Sequence, residues 1–287
     1  MIEQLPRIDK IQDKVLYDSK GGKMGFLKNL IGKKPEKTAH KGNVILSMPL
    51  FKGEQAYVLS DVIEDLKSYW GLEVKAIEGD SATATFVIDG ELVALALMPF
   101  PIPTEELEPL YDYAYLWDGV AQEVEAHTMH AIVSVLSGSE KPLKSYSILS
   151  KVNASILRTS ENAIGIYQGA ATLLLPKNLY IDFAELMKED SLPISLWVYI
   201  GIVNDGEKRN LYTYGMKEFG KAEIEIINSA KAASELYDFL LSILDYILSE
   251  DVILSDGETI GFSENEKIKI TASKAVYLEG ESLKLAL

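Results

Sequence analysis

Residues 82–98 read Ala82-Thr83-Ala84-Thr85-Phe86-Val87-Ile88-Asp89-Gly90-Glu91-Leu92-Val93-Ala94-Leu95-Ala96-Leu97-Met98. Two short apolar runs, Ala82 to Ile88 and Leu92 to Met98, flank Asp89-Gly90. That dipeptide signals a tight hairpin, because both central residues of a type I′ turn take positive φ and glycine accepts it without strain. With Leu72 to Ile77 as a preceding strand, the stretch is an antiparallel meander. A doubly wound parallel sheet with a nucleotide crevice is therefore the less suitable picture.

Working outward, Val44 to Phe51 is a further apolar run, and Pro49 marks it as ending there or lying at a sheet edge. Val58, Val62, Ile63, Leu66 and Trp70 recur at helical spacing, with Gly71 where a C-terminal cap belongs. Beyond the meander, Pro99, Pro101 and Pro103 close it. Thr104 with Glu105, Glu106 and Glu108 opens a helix expected to run to about Glu125, and Ala131 to Leu136 returns as a strand. The order β-α-β-β-β-α-β is close to a ferredoxin-like unit with one additional strand.

In the second half, helices are expected over Pro142 to Arg158, Leu179 to Lys188 and Ala232 to Leu248, the last with a wide apolar stripe. Strands are expected at Ala163 to Tyr167, Leu196 to Val203, Leu211 to Tyr214 and Ala222 to Ile227, followed by two or three hairpin strands in the tail. The fold class is α+β, with mostly antiparallel sheets and packed helices. It divides into an arm at 1–42, a ferredoxin-like lobe at 43–138 and a second α+β lobe at 139–287, the two lobes being separate or fused into one compact unit.

Charge is distributed unevenly. The first 42 residues hold ten Lys/Arg against five Asp/Glu, a balance of +5, which leaves −20 for the rest of a chain whose net charge is −15. An acidic body repels phosphate backbones, so no nucleic-acid partner is expected; another protein, basic in character, suits it better. Residues 19–42 combine seven lysines with Gly21, Gly22, Gly25, Gly32, Pro35 and Gly42, the composition of a linker. Within them Phe26, Leu27, Leu30 and Ile31 would share one side of a short helix. That gives either a weak membrane anchor or a tether folding back on the acidic body. The chain contains no cysteine, which removes disulfides, thiolate zinc sites and cysteine nucleophiles. Neither a signal-peptide core nor an uninterrupted spanning segment is visible, so a soluble cytoplasmic protein is expected.

Few residues offer chemistry. Glu123, Glu125, His127 and His130 form the one conspicuous titratable cluster, and a pair of hydrogen-bonded structural histidines is the plain reading of it. If helix persists through them, the two imidazoles share a face and could serve a metal or act as a base; if the chain is extended, they diverge. Tyr111, Tyr113, Tyr115 and Trp117 could line a pocket or simply pack. Gly215 to Lys221 has phosphate-loop spacing, but Ala222 stands where Ser or Thr would hold magnesium, and a strand rather than a helix follows. No cofactor and no metal is expected.

The segment Tyr212-Thr213-Tyr214-Gly215-Met216-Lys217-Glu218-Phe219-Gly220-Lys221-Ala222-Glu223-Ile224-Glu225-Ile226, together with Asp256-Gly257-Glu258-Thr259-Ile260-Gly261, resembles the bacterial family known as domain of unknown function 4261. The resemblance implies a bacterial cytoplasmic protein and supplies no reaction. Read physically, Gly215 and Gly220 bracket a loop, and Glu223 and Glu225 share the polar face of a half-buried strand. Tyr214, Gly215, Gly220, Glu223 and Glu225 are thus expected to form a recognition surface. The function that fits is a non-catalytic interaction protein of the accessory or immunity type. The alternative is a metal-dependent or general-base hydrolase centred on His127 and His130.

Overall fold

The computed structural model describes residues 44–136, 141–261 and 267–287. The basic arm at 1–42, with Phe26, Leu27, Leu30 and Ile31, lies outside the described residues. Among the described residues there are two sheets and six α-helices.

The first sheet has seven strands: β1 (Val44–Phe51), β2 (Val74–Gly79), β3 (Thr83–Ile88), β4 (Glu91–Met98), β5 (Met129–Leu136), β6 (Ala163–Gln168) and β7 (Leu173–Pro176). Their order is β2-β3-β4-β5-β1-β6-β7, and every pairing is antiparallel. The hairpin is as expected: Asp89 and Gly90 have φ of 50° and 82°. The element order of the N-terminal half is also as expected. Its spatial order is an elaboration of the ferredoxin-like unit, because β5 lies between β4 and β1, and β6 and β7 from beyond residue 138 extend the same sheet.

Pro49 does not mark an edge. β1 is central, between β5 and β6, and Pro49 lies opposite Ile166. On the β5 side the paired register skips from Ser47 to Leu50, which is where proline has no N–H to give.

Helices α1 (Leu59–Ser68), α4 (Pro142–Thr159) and α5 (Lys177–Glu185) pack on one face of this sheet. α1 buries Leu59, Val62, Ile63 and Leu66 at helical spacing and stops before Gly71, whose φ of 66° suits the left-handed exit from a helix. The opposite face receives the 99–125 segment. The single helix expected there is three short pieces: α2 (Thr104–Leu107), a 3-10 turn at Glu108–Tyr113 and α3 (Val120–Glu125). Pro109 lies in the first turn of the 3-10 piece, and Gly119, at φ 70°, starts the chain afresh before α3. Ile102, Leu107, Leu110, Ala114, Trp117 and Val124 turn inward onto Met48, Leu50, Tyr167 and Leu174.

The second sheet has six strands: β8 (Tyr199–Asp205), β9 (Lys208–Tyr214), β10 (Ile224–Ser229), β11 (Thr259–Ile260), β12 (Ile268–Lys274) and β13 (Glu281–Leu285). The order is β11-β12-β13-β10-β9-β8, with β10 and β13 parallel and the rest antiparallel. Helix α6 (Ala233–Ser249) buries Leu236, Leu240, Ile243, Leu244, Ile247 and Leu248 in one core with Leu211, Ile224, Ile226, Leu283 and Leu285. No helix among the described residues is long and apolar enough to cross a membrane.

Candidate functional site

Strand β5 begins at Met129, so helix does not persist through the cluster, and His127 and His130 do not share a helical face. His127 is buried, and its Nε2 accepts the Ile102 N–H at 2.8 Å. That fixes the proton on Nδ1, which donates to the Val124 carbonyl. Burial lowers the His127 pKa, partly offset by the Val124 contact, so the ring is held neutral with both nitrogens engaged. His130 Nδ1 faces the Phe100 carbonyl at 3.0 Å, with the Phe100 ring edge-on at 5.8 Å. Glu125 is exposed at the end of α3. The two imidazoles tie the 99–102 turn to the start of β5, each hydrogen-bonded to the backbone as structural histidines, and they do not converge on a shared site. No group of three or more metal-capable side chains occurs among the described residues.

The tyrosines pack rather than line an open cavity. Tyr115 donates to the Ile200 carbonyl at 2.8 Å, covering the exposed edge of β8. Tyr199 lies 6.0 Å from Tyr113, 5.9 Å from Tyr115 and 6.0 Å from Tyr212, and Tyr212 stacks on Tyr277 at 5.2 Å. Gly201 makes this possible: a Cβ there would stand 2.1 Å from the Tyr212 ring. Burial raises the pKa of Tyr115, Tyr199 and Tyr212, so all three stay protonated.

The loop between β9 and β10 is built around Glu223. Gly215 has φ 121°, and a Cβ on it would approach the Trp197 carbonyl to 2.8 Å, so glycine is required there on both counts. A 3-10 turn at Met216–Phe219 follows, and Gly220 ends it at φ 69°. Glu223 Oε1 accepts the Gly215 N–H at 3.0 Å and the Lys217 N–H at 3.4 Å, while Oε2 accepts the Thr213 hydroxyl at 2.7 Å. The Thr213 oxygen in turn accepts the Ile224 N–H at 2.8 Å. Amides that a phosphate would need are thus taken by the protein's own carboxylate. Met216 and Phe219 are buried, and Phe219 lies 4.8 Å from Tyr146 of α4 and 5.8 Å from Trp197. The loop is a joint between the second sheet and the helical layer of the first.

Glu225, two residues on, holds a different segment. Its Oε1 accepts the N–H groups of Val276 at 3.0 Å and Tyr277 at 2.8 Å. Its Oε2 accepts the Ser282 hydroxyl at 2.7 Å and pairs with Lys284 Nζ at 2.7 Å. Glu223 and Glu225 are 2% and 0% exposed, and Tyr214 is buried too, so these residues do not form an open recognition surface. Alternation along β10 was read correctly; the 276–277 turn and β13, which cover that face, come from 50 and more residues downstream. Lys284, Ser282 and the 276–277 turn carried no signal of their own, since a lysine near a chain's end is ordinarily a solvated charge.

The two carboxylates respond to pH in opposite senses. Burial raises the Glu223 pKa, its four hydrogen-bond and charge contacts with Thr213, Gly215 and Lys217 only partly offsetting this. Burial would also raise Glu225, but the Lys284 ammonium, the 276 and 277 amides and the Ser282 hydroxyl outweigh it and hold the pKa below the usual 4.5. Glu225 therefore adds stability that is fully present above the unfolded-state value and lost as pH falls through the folded value. Glu223 works against the fold as pH rises from the unfolded value to its raised folded one. We expect Glu225→Gln to flatten the acid limb of stability and Glu223→Gln to steepen it. Urea melts from about pH 3 to about pH 7 measure this; parallel acid limbs in the two variants would contradict the assignment.

A groove lies open beside the first sheet. Leu59, Ser60, Ile63, Glu64, Lys67 and Ser68 of α1 and Ile77 of β2 line a concavity of about 630 Å³. β2 is an edge strand whose pairing with β3 slips between Lys75 and Glu78, with Ala76 at φ 48°. That bulge turns Ile77, 41% exposed, toward the helix.

The chain is thus an α+β protein of two mostly antiparallel sheets, jointed at the 215–220 loop. Residues 212–286 match the family model described as Domain of unknown function (DUF4261), about a quarter of the chain, which bears out the resemblance seen in Tyr212–Ile226 and Asp256–Gly261. The matched stretch contains the Glu223 and Glu225 networks, the whole of α6 and strands β10 to β13. No curated protein and no solved structure matches the chain.

Proposed function

We propose that this protein acts by binding another protein, and that the α1–β2 groove receives a basic amphipathic segment of the partner. The observation that carries the reading is the groove's composition. Leu59, Ile63 and Ile77 give it an apolar floor, while Ser60, Glu64, Lys67 and Ser68 provide a polar rim. Residues 59–80 hold six carboxylates against two lysines, and Lys75 is already paired with Glu73 at 2.8 Å. A cationic helix with one apolar face complements both properties, as in helix-in-groove recognition. The −20 carried by residues 43–287 would speed such a partner's approach.

Ser68 and Ile77 are exposed, so Ser68→Arg with Ile77→Asn adds a positive charge and removes the apolar contact while leaving the core intact. We expect partners co-purified with the wild-type chain to be retained about tenfold less well by this variant, and wild-type capture to weaken with added salt. Equal retention by both chains, or capture indifferent to salt, would remove the groove from consideration.

A further inference from the structure

The cross-strand register of the first sheet reveals an apolar row that none of the described segments covers. Val44 pairs with Leu136, Leu136 with Leu92, and Leu92 with Val87, so these four side chains stand side by side across β1, β5, β4 and β3. Their neighbours Ile45, Val135, Val93 and Phe86 belong to the core under the helices. Since side chains alternate along a strand, the row faces the other way. On that face the 102–124 segment packs over Met48 and Leu50 and reaches its margin at Leu46 and Ile132. The row lies one step beyond. Val44 is 48% and Leu92 39% exposed.

We propose that this row is the docking site of the chain's own N-terminal segment, through Phe26, Leu27, Leu30 and Ile31. The first residue of the row, Val44, is also the first described residue, so the preceding 43 residues enter the fold at the patch itself. Four neighbouring strands span about 15 Å, which a helix of about ten residues covers. The stretch from Phe26 to Ile31 ends twelve residues before Val44 begins, and a connector of that length reaches about 40 Å when extended, ample to fold back. Over Phe26 to Ile31 a helix rises about 7.5 Å, so its four apolar side chains cover about half of the row, and the seven lysines around them are drawn to a body of charge −20. This inference is independent of the α1–β2 groove, which lies beside the opposite face of the same sheet.

A benzophenone-bearing amino acid at position 92 of the full-length chain tests it, since Leu92 is exposed enough to accept the larger ring. Irradiation is expected to give a cross-link within one chain, mapping by mass spectrometry to a peptide from residues 19–43. Phe26→Asp with Leu30→Asp is expected to abolish that product and to raise the fluorescence of a bound naphthalene sulfonate dye several-fold, with the far-ultraviolet circular dichroism retained. A cross-link into a second chain, a product mapping only outside residues 1–43, or no product at all would overturn the proposal. An unchanged product in the double variant would do so too.

Discussion

Glu225→Ala is expected to lower the thermal midpoint by about 10 °C, the largest loss from any single polar substitution in the chain. The cost is about 3–5 kcal/mol, because the change strips Lys284 of its counter-charge, leaving it only the Lys274 carbonyl and the Ser282 oxygen, and leaves the 276 and 277 amides and the Ser282 hydroxyl without their acceptor. Lys284 keeps only 18% of its side-chain surface, so water restores little of what it loses. Tyr277 is held by the same carboxylate and stacks on Tyr212, so the disturbance should pass to the tyrosine layer over β8 and β9. Hydrogen exchange would show it: protection should fall first at 276–277 and then along β9. Glu225→Gln separates charge from hydrogen bonding, since the amide can still accept from the two N–H groups but cannot neutralise Lys284. It should lose less than Glu225→Ala, and adding Lys284→Met to Glu225→Gln should recover part of the deficit. If Glu225→Ala melted within about 2 °C of the wild type, the carboxylate would not be the organising contact described above.

What the sequence disclosed and what it hid follow from the range of the interactions involved. The Asp89-Gly90 turn, the helix ending at Gly71 and the alternation of Glu223 and Glu225 with Ile224 and Ile226 are decided within a few residues, so each was legible. The burial of those carboxylates was not legible: Glu223 is enclosed by the chain at 213–217 only because Gly215 turns it back, and Glu225 by the 276–277 turn and the Ser282 and Lys284 side chains of β13, which share no local pattern with β10. Pro49 misled for the converse reason. A proline suggests an edge, but a central strand tolerates one where the ladder skips a pairing. Over Thr104 to Glu125 the acidic start was a sound helix signal, and it produced only the four residues of α2. Pro109 and Gly119 then interrupt the helix, although Leu107, Leu110, Ala114, Trp117 and Val124 keep a spacing that a continuous helix would also put on one side, so the apolar pattern alone gave no sign of the breaks. His127 and His130 depended on that same boundary, so their separation came with it. The α1–β2 groove needed the bulge at Ala76, which no residue of β2 announces.

The second large effect concerns the joint between the sheets, and Trp197 is its centre. Its indole is fully buried, its Nε1 donates to Ser150 Oγ of α4 at 2.9 Å, and its ring meets Tyr146 at 6.1 Å and Phe219 at 5.8 Å. Truncation to alanine would open a cavity between α4 and the 215–220 loop, at a cost of about 3–5 kcal/mol. Trp197→Phe keeps most of the volume but removes the Nε1 donor from Ser150, whose hydroxyl keeps its bond to Tyr180, so it costs about 0.5–1.5 kcal/mol. The joint predicts more than a lower midpoint. Because the Trp197 carbonyl lies where a Cβ on Gly215 would go, loss of the indole should loosen the turn whose amides hold Glu223. Exchange at Gly215 and Lys217 should therefore quicken in Trp197→Ala, while the 89–90 hairpin at the far side of the first sheet keeps its protection. Uniform loss of protection across both sheets would mean that they unfold as one unit and that the loop does not link two separable layers. Protection unchanged at Gly215 and Lys217 would show that the loop is held by Glu223 alone, with the aromatic contacts contributing only bulk.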